Sequence, residues 1–210
     1  MCRTVVTIMN DALEIIGVVV GVIYLWLEYR ASIYLWIASI VMPAIYLFVY
    51  YDAGLYADTA INIYYFAIAL YGWAAWKWGF SFSRKAEEQP QKQPQKLKIS
   101  HISARGWLQM TALYVAMQLA ITAALTYLTD SDVAWFNGLT SALSIVGMYM
   151  LARKYIEQWW VWLVVDILSA GLYFYKDLHF TAVLYAAYAV VAVAGYMKWK
   201  RLMTEQDAEK

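Results

Sequence analysis

Seven long apolar stretches, joined mostly by short connections, dominate this sequence of 210 residues. Each stretch has the roughly 17–25 residues that an α-helix needs to cross a lipid bilayer. Apolar residues make up 63% of the chain and charged residues only 15%, so a water-soluble fold would lack the polar side chains to cover its surface. The sequence therefore predicts an all-α integral membrane protein with spans at 10–27, 32–51, 56–78, 105–128, 133–152, 157–175 and 178–199.

One connection is longer and more polar than the others. Residues 81–104 contain two of the three prolines and five lysines or arginines, a composition that predicts a solvated, flexible linker. This linker divides the chain into three spans, one span and three spans. The predicted organisation is a first three-helix bundle (1–80), the cytoplasmic linker (81–104), a single connecting helix (105–130), a second three-helix bundle (131–202) and a cytoplasmic tail (203–210).

The basic residues predict how the chain lies in the membrane. If the N-terminus is outside, 14 of the 16 Lys and Arg residues fall in segments on the cytoplasmic side. The remaining two, Arg3 and Lys176, fall on the outer side, where the loops are acidic. Because basic residues concentrate on the cytoplasmic side of membrane proteins, we expect an outer N-terminus and a cytoplasmic C-terminus.

The two three-span blocks resemble copies of one another. A shift of 126 residues aligns Gly21 with Gly147, Tyr29 with Tyr155, and Trp36 with Trp162. After a three-residue gap, a shift of 123 residues aligns Leu55 with Leu178, Tyr65 with Tyr188, Gly72 with Gly195, and Trp76 with Trp199. One span between the copies gives both blocks the same orientation. Such parallel repeats are typical of transporters that hold a substrate between their halves.

Polar side chains inside the spans recur at helical spacing, so they fall on one face of each helix. Glu14 and Asp166 are acids placed well inside spans, and the sequence has no Lys or Arg at a matching depth. A cationic ligand is the natural counter-charge, since aromatic rings would add cation–π attraction. Two structural alternatives remain open: a protonated Asp166 that hydrogen-bonds a neighbouring helix, and a Glu14 that caps its own helix.

Several classes of protein are disfavoured by what the sequence lacks. A retinal protein needs a lysine deep in the last span, and residues 178–197 contain none. One buried acid and no buried histidine do not form an intramembrane protease. With the single Cys2 and two histidines we expect no metal or cofactor site, no nucleic-acid partner and no enzymatic activity. A proton-coupled carrier and a ligand-binding receptor remain alternatives to a simple transporter.

Residues 54–76 (GLYADTAINIYYFAIALYGWAAW) and residues 141–199 contain two specific motifs, YGW-x-x-W at the end of the third span and RKY-x-E-x-W-x-x-W before the sixth. These two stretches resemble the PnuC family of bacterial vitamin transporters. The resemblance implies a SWEET-like fold and a homotrimer in the bacterial cytoplasmic (inner) membrane. It also implies facilitated diffusion of an unphosphorylated vitamin precursor that cytoplasmic kinases trap as a phosphate.

The substrate is less certain from the resemblance, because family members carry nicotinamide riboside, thiamine or riboflavin. The nicotinamide riboside pattern pairs a Trp with an Asn in each half, whereas this chain has Trp162 with Asp166 and, in the second span, Trp36 without an Asn. A carboxylate in place of an amide favours thiamine, with nicotinamide riboside as the alternative. The candidate substrate-binding residues are Asp166 for the cation, Trp36 and Trp162 for its rings, Asn62, Tyr65, Tyr185 and Tyr188 for its polar edges, and Glu14 and Asn137 for selection at the outer end.

Overall fold

The computed structural model describes residues 21–52, 56–79, 97–128, 133–177 and 179–208. These residues contain seven helical segments, which confirms the all-helical prediction. They are α1 (21–29), α2 (Leu35–Asp52), α3 (Tyr56–Trp78), α4 (Ala104–Leu128), α5 (Ala134–Ala152), α6 (Gln158–Tyr175) and α7 (His179–Ala208). Helix α7 continues through most of the segment that the sequence predicted to be a separate tail.

The outer surface of the helix bundle is apolar, whereas two carboxyl groups lie inside it. Phe48, Leu108 and Val190 are 76%, 72% and 70% exposed. Glu28 and Asp166, in contrast, are 2% and 7% exposed. An apolar exterior around buried acids is the distribution expected for a protein that is solvated by lipid.

Length and hydropathy alone support fewer spans than the seven that the sequence pattern predicts. Within the described residues, Ala104–Leu128 and Thr181–Ala208 are long and apolar enough to cross a membrane, and Leu35–Phe48 is a shorter apolar helix. Helices α3 and α6 are rich in Tyr and Trp, which contribute less to mean hydropathy than Leu or Val. Their amphipathic rings are nevertheless common where a membrane protein meets the lipid interface.

Neighbouring helices pack in pairs, and the contact of α3 with α5 is one of those between the two halves of the chain. Helix α2 packs on α3, α4 on α5, α5 on α6 and α6 on α7, while α3 packs on α5. At the α3–α5 contact the Tyr64 hydroxyl donates a 2.7 Å hydrogen bond to the Ile145 carbonyl. The Arg153 guanidinium donates to the Tyr71 hydroxyl at 3.1 Å, next to the stacked rings of Tyr71 and Tyr149.

The same turn follows the first helix of each half. Ala31 and Lys154 have left-handed φ angles of 49° and 53°, and Lys154 lies 123 residues after Ala31. The N–H of Ala31 donates to the Glu28 carbonyl at 2.9 Å, and the N–H of Lys154 donates to the Leu151 carbonyl at 2.9 Å. Each turn therefore reverses the chain with equivalent hydrogen bonds at an offset of 123 residues.

A tryptophan packed on a glycine also recurs at the offset of 123 residues. The Trp36 ring lies against the α3 backbone at Gly72, where an added Cβ would come within 2.3 Å of it. Trp159 lies against Gly195 on α7 in the same way, with 2.5 Å to an added Cβ. In each half the ring then meets a second tryptophan edge-on. The centroid distances and interplanar angles are 5.6 Å and 85° for Trp36–Trp76, and 5.7 Å and 86° for Trp159–Trp199.

These contacts correct the alignment of the first part of the repeat. Trp36 corresponds to Trp159 and not to Trp162, because the offset is already 123 residues at the turns after α1 and α5. The sequence suggested 126 because Tyr155 and Trp162 have the same spacing as Tyr29 and Trp36. That match is a coincidence of identical residue types in a segment with three tryptophans.

The two halves are joined by reciprocal hydrogen bonds from Trp76 and Trp199. Trp76 Nε1 donates to the carbonyls of Leu151 and Ala152, at 3.3 and 3.2 Å, at the end of α5. Trp199 Nε1 donates to the carbonyl of Glu28 at 3.0 Å, at the end of α1. The last carbonyls of a helix lack partners within the helix, so each indole satisfies an acceptor of the opposite half.

The end of the polar linker is more ordered than the sequence predicted. Ile99 and Ile102 are 4% and 7% exposed, and both pack against the helices. The N–H of Ser100 donates to the Lys154 carbonyl, and the N–H of Ile156 donates back to the Ser100 carbonyl, each at 3.1 Å. The expectation of a flexible linker is therefore wrong for residues 97–103, because apolar side chains and backbone pairing hold them. Residues 80–96 lie outside the described residues.

Candidate functional site

A cavity of about 590 Å³ lies between the two halves of the chain. Six of the seven helical segments line it, namely α1, α2, α3, α5, α6 and α7. Its volume is in the range of pockets that enclose a small molecule, roughly 300–1,000 Å³. A ligand held here would touch both halves at once.

Five of the predicted site residues line this cavity, and Asp166 is the charged one among them. The five are Tyr65, Trp162, Asp166, Tyr185 and Tyr188. Asp166 is 7% exposed, and the hydroxyls of two of these tyrosines lie close enough to be influenced by its charge. Lys and Arg are absent from the cavity-lining residues in the described part of the chain, so a buried acid faces the cavity without a basic partner there.

Aromatic rings line the rest of the space around Asp166. Tyr173 and Tyr185 stack with their centroids 5.2 Å apart, and Tyr185 meets Tyr188 at 5.7 Å. Trp162 lies one helical turn before Asp166 on α6, and its indole Nε1 is buried without a hydrogen-bond partner among the described residues. The cavity therefore combines flat rings, an indole donor and a carboxyl group, which suits a planar cation.

Three of the predicted site residues lie in the described part of the chain but do not line the cavity. The Trp36 ring is fully buried against Gly72, which turns it toward α3 and away from the cavity. Asn62 and Asn137 lie three residues before the lining residues Tyr65 and Thr140, so their helices carry them beyond the cavity wall. Glu14 lies outside the described residues.

The structure adds a second acid that the sequence reading missed. Glu28 lines the cavity and is 2% exposed. Sequence reasoning assigned it to the connection after the first span, because it follows the last residue of that apolar stretch. Helical spacing could have found it, since Gly21, Tyr24, Leu25 and Glu28 follow the i, i+3, i+4, i+7 pattern of one face and all line the cavity.

Three hydroxyl side chains in the cavity wall point their protons at their own helices. Ser39 Oγ donates to the Leu35 carbonyl at 3.0 Å, and Ser144 Oγ donates to the Thr140 carbonyl at 2.8 Å. Thr140 Oγ1 donates to the Phe136 carbonyl at 3.2 Å. Each oxygen keeps lone pairs that can accept a hydrogen bond from a ligand. The described residues contain no group of three or more His, Cys, Asp or Glu side chains that could hold a metal ion.

Comparison with known proteins gives a consistent result. The chain matches the family described as "Nicotinamide mononucleotide transporter" over residues 11–201. It is 20% identical to the nicotinamide riboside transporter PnuC of Escherichia coli, over 89% of this chain and 84% of that protein. It is 26% identical to the riboflavin/roseoflavin transporter RibM of Streptomyces davaonensis, over 89% of this chain and 83% of that protein.

A solved structure shares the fold. It is the crystal structure of the vitamin B3 transporter PnuC, with a TM-score of 0.61 and 24% sequence identity, over 89% of this chain and 80% of that chain. This shared fold agrees with the seven helical segments of the described residues. Hydropathy alone identifies two of the described helices as membrane spans. Because the family match extends over residues 11–201, the chain belongs to the nicotinamide mononucleotide transporter family, the PnuC family of multi-pass inner-membrane vitamin transporters.

Proposed function

We propose that this protein is a carrier, not an enzyme, and that it takes up an unphosphorylated vitamin precursor that carries a positive charge on an aromatic ring. The observation on which the proposal depends is Asp166, a buried acid that faces a cavity lined by two tryptophans and five tyrosines. In a site closed to water, a carboxylate without a basic partner is stabilised by a cationic ligand. The rings add stacking and cation–π attraction on either side of that ligand.

Nicotinamide riboside is the first candidate substrate, because relatives in three separate bacteria bear its name. Its nicotinamide ring is a flat cation, as the Asp166 site requires. Thiamine is the second candidate. The carboxylate of Asp166 stands where the nicotinamide riboside pattern has a neutral amide, and a thiazolium ring has no ribose hydroxyls for an amide to bind. Comparison with relatives favours nicotinamide riboside over the thiamine assignment that the sequence preferred.

The proposed mechanism is uniport by alternating access. The two three-helix bundles, α1–α3 and α5–α7, would form a parallel 3+1+3 repeat of the SWEET-like kind, with α4 as the connecting helix. Rocking of the bundles would open the cavity to each side in turn, and phosphorylation of the product in the cytoplasm would keep the gradient inward. In this proposal the carrier is a homotrimer of the bacterial inner membrane, with its N-terminus outside.

Asp166 is proposed to neutralise the substrate cation, with Trp162 stacked on its ring. Tyr65, Tyr185 and Tyr188 are proposed to bind its polar edges. Trp36, Asn62 and Asn137, which the cavity does not include, would act only in a different conformation of the carrier, and Glu14 is proposed to select the substrate at the outer end.

Uptake into proteoliposomes tests the proposal most directly. Nicotinamide riboside and thiamine are offered separately to the full-length protein, with and without a pH gradient. We expect equilibration of at least one compound and no accumulation driven by protons. Accumulation above equilibrium on a proton gradient would contradict uniport and favour a proton-coupled carrier, whereas binding without flux would favour a receptor.

The role of Asp166 is tested by Asp166→Asn, which keeps the shape and removes the charge. We expect binding to weaken by about 1–3 kcal/mol, the range for a hydrogen bond to a charged group. Asp177→Asn is the matched control, since Asp177 lies in the α6–α7 connection with a φ of 57°, which asparagine also adopts readily. Equal affinity in the two variants would remove Asp166 from the substrate site.

A further inference from the structure

A second carboxyl group faces the cavity at a distance from Asp166, and the proposed function does not use it. Glu28 lines the cavity at the end of α1 and is 2% exposed. Its Oε1 atom is buried and has no hydrogen-bond partner among the described residues. A carboxyl group retains an acceptor oxygen in either protonation state, so Oε1 can receive an N–H.

Two neighbours of Glu28 are unpaired in the same way. Gln158 is 0% exposed and its side chain interacts with the Glu28 carboxyl group, although neither its amide nitrogen nor its amide oxygen makes a hydrogen bond of ordinary geometry in the part of the chain that is described. The Nε1 of the cavity-lining Trp159 is also buried and unpaired there. We call Glu28, Gln158 and Trp159 the Glu28 cluster. Buried polar atoms are rarely left unpaired, so a cluster of them beside a cavity points to a ligand that pairs them.

The Glu28 cluster and Asp166 lie at two different levels of one cavity. Gln158 and Asp166 are eight residues apart on α6, which corresponds to roughly 12 Å along a helix. Trp162 lies between them on the same helix. Asp166 is nevertheless close enough for its charge to act on Glu28. A ligand stacked on Trp162 would therefore reach Asp166 with one end and the Glu28 cluster with the other.

We infer that the Glu28 cluster is a specificity site for an N–H-bearing edge of the ligand, either an exocyclic amine or a primary carboxamide on an aromatic ring. Glu28 accepts the N–H, and Gln158, which lies behind Glu28 and does not itself line the cavity, positions the Glu28 carboxyl group. This inference rests on the proposed function, because it assigns the second end of the same ligand. The cluster rejects analogues that present a carbonyl oxygen or a methylated nitrogen, since Oε1 then loses its donor.

Discrimination between paired ligands tests the inference in the full-length protein in detergent. The first pair is thiamine and its analogue with a carbonyl oxygen in place of the exocyclic amine. The second is nicotinamide riboside and its N,N-dimethylcarboxamide analogue. For whichever parent compound binds, we expect the wild type to prefer the parent. Glu28→Gln should reduce the ratio of the two affinities by about tenfold or more, because glutamine can offer a donor to the analogue.

Two further variants separate a binding role from a structural one. Gln158→Met keeps the side-chain length and removes the amide, so we expect the same loss of discrimination. Glu205→Gln alters an exposed glutamate paired with Arg201 on α7 and should leave the ratio unchanged. An unchanged ratio in both Glu28→Gln and Gln158→Met would overturn the inference while Asp166→Asn still tests the proposed function. If the wild type bound none of the four compounds, both proposals would fail.

Discussion

Replacing Gly195 by alanine should move the Trp159 ring into the ligand cavity. A Cβ at position 195 would lie 2.5 Å from Trp159 Cη2 and Cζ3. Carbon atoms in contact normally lie about 3.5–4.0 Å apart, so the ring must shift by about 1 Å. The ring cannot bend away as a flexible side chain would. Because Trp159 lines the cavity, its displacement reaches the ligand.

Gly72→Ala is the matched control within the same chain. A Cβ there would lie 2.3 Å from Trp36 Cη2, an equally severe contact, but Trp36 does not line the cavity. Overpacking costs about 1–3 kcal/mol, and replacing a helical glycine by alanine returns about 1 kcal/mol. Both variants should therefore lose up to about 2 kcal/mol of folding free energy. Gly171→Ala has nothing within 4 Å of the new Cβ and should gain up to about 1 kcal/mol.

Thermal unfolding in detergent and ligand affinity are measured for the three variants. We expect Gly72→Ala and Gly195→Ala to unfold at lower temperature than the wild type, and Gly171→Ala at the same or a higher temperature. Gly195→Ala alone should also weaken binding of the substrate by several-fold beyond the loss in Gly72→Ala. The reasoning is refuted if Gly195→Ala binds as well as Gly72→Ala, or if all three variants are equally destabilised.

Two other contacts give predictions of their own. Trp76→Phe and Trp199→Phe keep a ring but remove the indole donor that reaches the opposite half. Each should lower the free energy of unfolding by about 1–2 kcal/mol. Trp78 is exposed, so Trp78→Phe should lower it little. A larger effect in Trp78→Phe would contradict the bridging role. Glu157→Ala removes the carboxylate that binds the segment before α4. Limited proteolysis should therefore cut the linker faster in this variant than in Glu205→Ala. Equal rates would show that this carboxylate does not hold the segment.

The helices were predictable because long apolar stretches are a strong signal. The second to sixth spans begin and end within about three residues of a described helix, whereas α7 runs nine residues past its predicted span. The register between the two halves was not, because α6 begins with several tryptophans and a sequence match cannot decide which of them packs. The packing of Trp159 on Gly195 identifies it as the counterpart of Trp36, in agreement with the turns after α1 and α5. The register of the repeat therefore comes from packing and not from identical letters.

The candidate site was partly predictable for a similar reason. Asp166 was recognisable as an acid in the middle of a span, and Tyr185 and Tyr188 were recognisable by spacing. Glu28 was missed because α1 continues past the last apolar residue of its span, so an acid at its end still faces the cavity. Trp36 was assigned to the cavity because it aligned with Trp162 and matched the tryptophan of the family's pattern, but the absence of a side chain at Gly72 gives that ring a place in the core.

The two halves match where they support packing and differ where they line the cavity. At the offset of 123 residues, the tryptophan–glycine contacts are identical in both halves, but Ser39 corresponds to Trp162 and Pro43 to Asp166, and all four line the cavity. The large and small side chains that pack together are placed differently in the two halves. Tyr24 on α1 lies against the small Ser39, whereas Trp162 on α6 lies against Gly147, 3.2 Å from where a Cβ would be. A symmetric frame thus encloses an asymmetric cavity with the aromatic platform and the acid on the same wall. An asymmetric ligand with its positive charge at one end would meet Asp166 on the α6 wall, whereas the α2 wall offers Ser39 and Pro43 at the corresponding positions.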